Sequence, residues 1–239
     1  MAVVSIFCAV DTPDLEQATH LAGLMAEAGC GVKLGLEFFV SHGPTGLAHI
    51  RTHYPQLPVF LDLKFHDIPN TAAHAARAAT SLGITYMTLH ASGGLEMMKM
   101  TKAAVEEEAI KQGIPAPKLL AVTVLTSLDE KALLDVGQQA PVSAQVEKLA
   151  HLAKEAGLAG VVCSAHEIAQ LRSKLGPDFV LMVPGIRPKG SETGDQKRIM
   201  TPEEAMKLGA THLVIGRPIT GAENPQEKAK EINQSLLAA

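Results

Sequence analysis

The chain has 239 residues, 46% of them apolar and 19% charged, with a formal net charge of −4. That length and apolar content suffice to close one large core. The slightly acidic balance, without any stripe of Lys and Arg, excludes a nucleic-acid polymer as the expected partner. Three widely spaced cysteines, Cys8, Cys30 and Cys163, form neither a CxxC pair nor a zinc-ligand pattern. They are expected as small buried hydrophobes in a reducing compartment. The first residues, MAVVSIFCAVD, are too short an apolar stretch for a secretory leader and lack its basic flank. No later run approaches membrane-spanning length, so a cytoplasmic protein with no membrane partner is expected.

Eight short apolar runs follow one another along the chain: SIFCAVD (5–11), GVKLGL (31–36), VFLDLK (59–64), YMTLHA (86–91), LLAVTVLT (119–126), GVVCSA (160–165), FVLMVPGI (179–186) and HLVIGR (212–217). Runs of this kind are strands buried on both faces. Amphipathic stretches separate them and carry helix signals. Thr12-Pro13-Asp14 opens the first, and Gly29, Gly83, Gly157, Gly176 and Gly209 each follow a last turn. The alternation predicts a parallel sheet. Eight units with no GxGxxG after the first strand favour a closed barrel over an open doubly wound sheet. The expected fold is therefore α/β, a (β/α)8 TIM barrel, with one catalytic domain over residues 1–239.

Asp11, Lys33, Lys64, His90, Thr126, Ser164, Arg187 and Arg217 fall at or near strand ends, the rim where such a barrel builds its active site. The third strand is the most informative. It runs into FLDLKFHDIPNT (60–71), which sets an aspartate and a lysine inside an apolar strand. Residues i and i+2 share a face, so Phe60, Asp62 and Lys64 point into the barrel while Leu61 and Leu63 face the helices. A buried charge there needs an opposed partner. Lys33 at the top of the second strand supplies a second cation, and Asp67 follows beyond the strand, where Pro69 fixes the chain's exit. Carboxylates on either side keep Lys64 protonated. An ammonium cannot attack a carbonyl, so the array suits charge stabilisation and proton donation rather than Schiff-base chemistry.

The seventh and eighth strands end in VPGIRP (183–188) and VIGRPIT (214–220), each pairing glycine with arginine. Glycine admits close backbone approach and arginine matches phosphate oxygens with a bidentate fork, at the position where barrels commonly bind phosphate. The polar stretch KGSETGDQKRIMTP (189–202) follows, with Gly190 and Gly194, and ends at the helix start Thr201-Pro202-Glu203-Glu204. Above an active-site rim it is a candidate lid that brings Gln196 to the phosphate.

In DLKFHDIPNT, in PGIRP followed by GDQKRIMTP, and in IGRPI, the sequence closely resembles orotidine 5'-phosphate decarboxylase, from Asp11 to the last helix. The resemblance implies decarboxylation of orotidine 5'-monophosphate to uridine 5'-monophosphate and CO2, in pyrimidine biosynthesis, with no cofactor and no metal. It implies that Lys33, Asp62, Lys64 and Asp67 form the catalytic array. It implies a homodimer in which Asp67, Ile68 and Thr71 reach the neighbouring site. Asp11 and Lys33 would contact the ribose, and Thr126 and Ser127 would border the pyrimidine. Gln196, Arg217 and the Gly216 backbone would hold the phosphate, with Arg187 nearby.

Two other readings compete. A magnesium-dependent sugar-phosphate decarboxylase or aldolase of the same superfamily shares a DxKxxD strand, but there the position of Lys33 is acidic, whereas a lysine repels Mg2+ from Asp62. A noncatalytic nucleotide-phosphate-binding barrel would keep both arginines without needing Asp62 and Lys64 together. His49 and His53 have helical i, i+4 spacing but no HExxH, and are expected as exposed helix residues. His66 is assigned to positioning or packing, His90 stays open, and Met97, Met98 and Met100 are expected to pack a helix.

Overall fold

A computed structural model describes residues 5–188 and 200–237. Its eight strands are β1 (Ile6–Val10), β2 (Gly31–Leu34), β3 (Val59–Phe65), β4 (Tyr86–His90), β5 (Lys118–Val122), β6 (Gly160–Val162), β7 (Val180–Pro184) and β8 (His212–Ile215). The helices between and after them are α1 (Leu15–Glu27), α2 (Leu36–His53), α3 (Pro69–Thr80), α4 (Leu95–Gln112), α5 (Glu130–Asp135), α6 (Val142–Glu155), α7 (Ile168–Leu175), α8 (Pro202–Lys207), α9 (Arg217–Thr220) and α10 (Pro225–Leu237). All strands are parallel, pair in sequence order, and close through β8 onto β1. The expected (β/α)8 barrel is the observed fold.

The helix signals operate as read. Asp14 caps α1 by accepting from the N–H groups of Glu16 and Gln17 at 2.9 and 3.0 Å. Thr201 and Glu204 form the reciprocal capping box at the start of α8. All five predicted stop glycines adopt positive φ.

Every strand but β3 ends before its apolar run does, and β5 and β6 fall short by the most. β5 stops at Val122, so Thr126 lies in the turn beyond it; Val124 and Leu125 continue the apolar pattern because they line a cavity. β6 stops at Val162, and Ser164 instead begins a short 3-10 turn, its N–H donating to Glu167 Oε2 at 2.7 Å. At Val124 apolar character reports burial, whatever the backbone conformation.

Burial divides into two layers. The larger lies between barrel and helices, and includes Leu61, with Leu63 packed against it. The smaller fills the barrel and includes Phe7, Phe60, Tyr86, Leu120, Met182 and Val214. Phe7 meets the rings of Phe60, Tyr86 and His212 edge-on, at 6.0, 5.7 and 5.5 Å. Gly31 makes room for it, since a Cβ there would lie 2.5 Å from the Phe7 ring. His212 is buried beside Tyr86, their Nε2 and hydroxyl 2.8 Å apart, which satisfies two polar groups inside the core.

Arg172 on α7 braces the barrel at the N-terminal ends of β7 and β8. Its guanidinium donates to the carbonyls of Gly176, Pro177, Phe179 and Gly209 and to Thr211 Oγ1, at distances from 2.5 to 3.0 Å. One side chain thus ties together the segments entering β7 and β8. Arg172→Ala strands several carbonyls at once and is expected to lower the unfolding free energy by about 3 kcal/mol, read as a shift of the urea midpoint followed by circular dichroism.

Candidate active site

The strand that carries Asp62 and Lys64 is irregular where it matters. β3 pairs with β4 through Phe60 and Leu61, then shifts register before Phe65. Lys64 falls in the shifted stretch with φ of 53°, and is the only described residue other than glycine with positive φ. That backbone costs an L-residue roughly 1–2 kcal/mol. It re-aims a side chain that strict alternation would only have placed on the inner face.

A small ion-pair network results. Lys64 Nζ donates to Asp62 Oδ2 at 2.8 Å, and Lys33 Nζ stands 3.8 Å from the same oxygen. Lys33 Nζ also donates to Asp11 Oδ1 at 3.2 Å. Asp62 Oδ1 accepts from the Thr88 hydroxyl at 2.9 Å, and that hydroxyl accepts from the Lys64 backbone N–H at 2.9 Å. Asp62 and Lys33 have side chains only 12% and 13% exposed, whereas Lys64 is 31% exposed. The most accessible charge of the central group is therefore the Lys64 ammonium, open to an incoming molecule.

Two cavities meet at this network, sharing Lys33, Pro184 and Val214 in their walls. One, of about 210 Å³, is mainly apolar. Its walls include Phe60, Val122, Val124, Leu125 and Val162, with Asp62, Lys64 and Thr126 as polar elements. The other, of about 340 Å³, is lined by Asp11, Thr12, Gln17, Gly185, Arg187, Gly216 and Arg217 among others. Gly185 takes φ of 78°, a turn only glycine makes without strain, and two residues later Arg187 is buried against the cavity. The Arg187 N–H donates to Met200 O at 3.1 Å, so the chain leaving β7 and the chain entering α8 are tied together beside this wall. An apolar slot joined to a basic pocket suits a molecule with an unsaturated ring at one end and an anion at the other.

The structure brings together Asp11, Lys33, Asp62, Lys64, Thr126, Arg187, Gly216 and Arg217. Ser127 is exposed in the turn next to Thr126. Asp67, Ile68 and Thr71 are exposed at the start of α3; Asp67 accepts from the Ile68 N–H at 2.7 Å and forms no ion pair among the described residues. Within one chain the array is thus Lys33–Asp62–Lys64, without Asp67. Gln196 lies outside the described residues. Sequence reasoning passed over Thr88 and Gln17. Thr88 sits in an apolar strand, where threonine is an ordinary β-former, and its inward i, i+2 relation to Tyr86 was the available signal.

The remaining expectations concern cysteines, histidines and methionines. All three cysteines are buried and free. Burial raises the thiol pKa of Cys8 and Cys30 to about 12, and raises Cys163 further, so all three are inert as nucleophiles. His49 and His53 are exposed on α2 with rings 4.5 Å apart. Met97 and Met98 pack fully, and Met100 is 37% exposed.

Comparison with known proteins agrees with this geometry. Residues 5–232 match the model of the orotidine 5'-phosphate decarboxylase / HUMPS family. An orotidine 5'-phosphate decarboxylase from Rhodospirillum rubrum is 50% identical over 97% of this chain and 94% of its own. One from Moorella thermoacetica is 49% identical over 95% of this chain and 90% of its own. The crystal structure of orotidine 5'-phosphate decarboxylase from Lactobacillus acidophilus superposes with a TM-score of 0.84 at 35% identity, covering 98% of both chains.

His90, at the end of β4, stacks near His66 with ring centroids 5.1 Å apart. Burial lowers its pKa below 6.5, and the neighbouring His66 and Lys64 charges add to the effect. Its neutral form is therefore favoured by folding. The unfolded chain takes up this proton near pH 6.5 and the folded chain only at lower pH, so the contribution is complete above 6.5 and declines as pH falls below it. Urea titrations at pH 7.5 and 5.0 are expected to show a larger stability loss in the wild type than in His90→Gln.

Proposed function

Because this chain belongs to the orotidine 5'-phosphate decarboxylase / HUMPS family, it decarboxylates orotidine 5'-monophosphate to uridine 5'-monophosphate and CO2, and we propose that Lys64 is the group that makes this possible. The observation that carries the proposal is the Lys64 ammonium, paired with Asp62 and opening onto an apolar slot joined to a basic pocket. Loss of CO2 from C6 leaves a carbanion whose electron pair lies in the ring plane and does not delocalise into a carbonyl. Barrier reduction on the order of 20 kcal/mol is required. The ammonium stabilises the developing charge and then transfers its proton to C6, leaving a neutral amine. Asp62 holds the ammonium and stands against the departing carboxylate. Thr126 and Ser127 border the pyrimidine, Asp11 and Lys33 take the ribose hydroxyls, and Arg217, the Gly216 backbone, Arg187 and Gln196 take the phosphate. Phosphate binding, remote from C6, supplies energy that organises the charged array.

Lys33 also discriminates against the magnesium-dependent relatives. Its ammonium stands 3.8 Å from Asp62 Oδ2 and repels a divalent cation at that carboxylate. The reaction is accordingly assigned neither metal nor cofactor. Exposed Asp67, Ile68 and Thr71 fit a homodimer in which each chain completes its partner's site. Ile68, 66% exposed, is an apolar side chain that such an interface would cover.

With purified protein in excess EDTA, loss of the orotate chromophore is expected at the full wild-type rate, and Lys64→Ala is expected to reduce kcat by about 10⁵-fold. Near-normal turnover by that variant would sink the assignment. Shared sites make a separate prediction: Lys64→Ala and Asp67→Ala chains, each inactive alone, recover about a quarter of wild-type activity after equimolar unfolding and refolding together, because half the dimers are mixed and each holds one intact site.

A further inference from the structure

We propose that Thr88 on β4 is a positioning residue that locks Asp62 and Lys64 into the arrangement needed for proton delivery, an inference that rests on the decarboxylase reading. Thr88 is fully buried, and its hydroxyl is placed between the backbone of one member of the charged pair and the side chain of the other. The directions of these bonds are fixed by chemistry. The Lys64 backbone N–H can only donate, so the hydroxyl accepts from it, and the single hydroxyl proton is left for Asp62 Oδ1. Asp62 Oδ2 remains available to Lys64 Nζ at 2.8 Å and Lys33 Nζ at 3.8 Å. A ring closes: Lys64 backbone, Thr88 hydroxyl, Asp62 carboxylate, Lys64 ammonium.

The ring sits where β3 departs from its ladder with β4 and where Lys64 holds positive φ. The Thr88 side chain supplies the acceptor for the amide displaced by this irregularity. It thereby supports a backbone conformation that sets the direction of the Lys64 side chain, and it fixes the rotation of the Asp62 carboxylate. Removing the hydroxyl releases both constraints together without touching the wall that carries Arg187, Gly216 and Arg217. The loss should appear in the chemical step rather than in substrate capture.

The test compares wild type, Thr88→Val and Thr88→Ser for turnover of orotidine 5'-monophosphate, with melting temperatures in parallel. Valine keeps the shape and removes both hydrogen bonds; serine keeps the hydroxyl. Thr88→Val is expected to lower kcat about 30-fold with KM changed less than about threefold, and Thr88→Ser to stay within about threefold of wild type in kcat. Equal kcat in Thr88→Val and wild type overturns the proposal, as does equal loss in the valine and serine variants, which would assign the effect to packing. If Thr88→Val fails to fold, Thr88→Cys takes its place: similar in size to serine but a weak hydrogen-bonding group, it is expected to turn over about tenfold more slowly than Thr88→Ser, and equality overturns the proposal. A wild-type protein inactive on this substrate overturns the decarboxylase reading instead, so the two failures are distinct.

Discussion

One carboxylate shared by two ammonium groups in the mouth of a closed barrel is the constraint on which the rest depends. Asp62 has Lys64 and Lys33 on the same oxygen, at 2.8 and 3.8 Å, and its side chain is only 12% exposed. Replacing such a cluster with well-packed hydrophobic residues would commonly cost nothing in stability, while removing one member would leave an uncompensated buried charge. The cluster therefore has its value in chemistry. It leaves the site rich in cations, and an anionic substrate completes the balance that folding leaves unfinished. Asp11, paired with Lys33 at 3.2 Å, limits that excess.

The same cluster joins the two ends of the site. Lys33 lines both the apolar slot and the basic pocket, and Pro184 and Val214 line both from β7 and β8. An occupant that grips the basic pocket is thus led onto the charged array by the barrel wall itself. On the proposed reading, binding energy collected from the phosphate in that pocket is transmitted through short strand ends, which gives a remote group leverage over the reacting carbon. The tie between Arg187 and Met200 adds to this. The ends of the segment containing Gln196 are anchored on the same wall that holds the arginines.

Much of this was legible in the sequence, for a physical reason. A parallel barrel buries both faces of every strand, so its strands read as apolar runs and any charge within one stands out; Asp62 and Lys64 were visible on that ground alone. The glycine stops and the Thr201–Glu204 box were equally local signals. Thr126 was placed one element too early, because apolar residues lining a cavity and apolar residues within a strand look alike in sequence. Thr88 carried one local signal, its inward i, i+2 relation to Tyr86, which says nothing of its partners. Its function depends on a register shift between two strands and on a hydroxyl meeting groups 24 and 26 residues away. Asp67 marks a different boundary: its position beyond β3 was readable, but the site it would serve in the proposed homodimer depends on how two chains would meet.

The left-handed backbone at Lys64 shows how the fold bears the cost of the site. An open sheet edge would relax such a conformation by letting the strand slip. Here β3 is held on one side by β2 through Phe60 and Leu61, and on the other by β4 both before and after the irregularity. Closure through β8 and β1 removes the remaining freedom. Strain persists where the surroundings over-determine it, and a closed barrel over-determines every strand. A rigid ammonium aimed at one point in an apolar slot can then act by preorganised electrostatics, which requires that little move when charge develops. The (β/α)8 closure that makes this chain stable is, on this view, also what allows its most strained residue to be its most useful one.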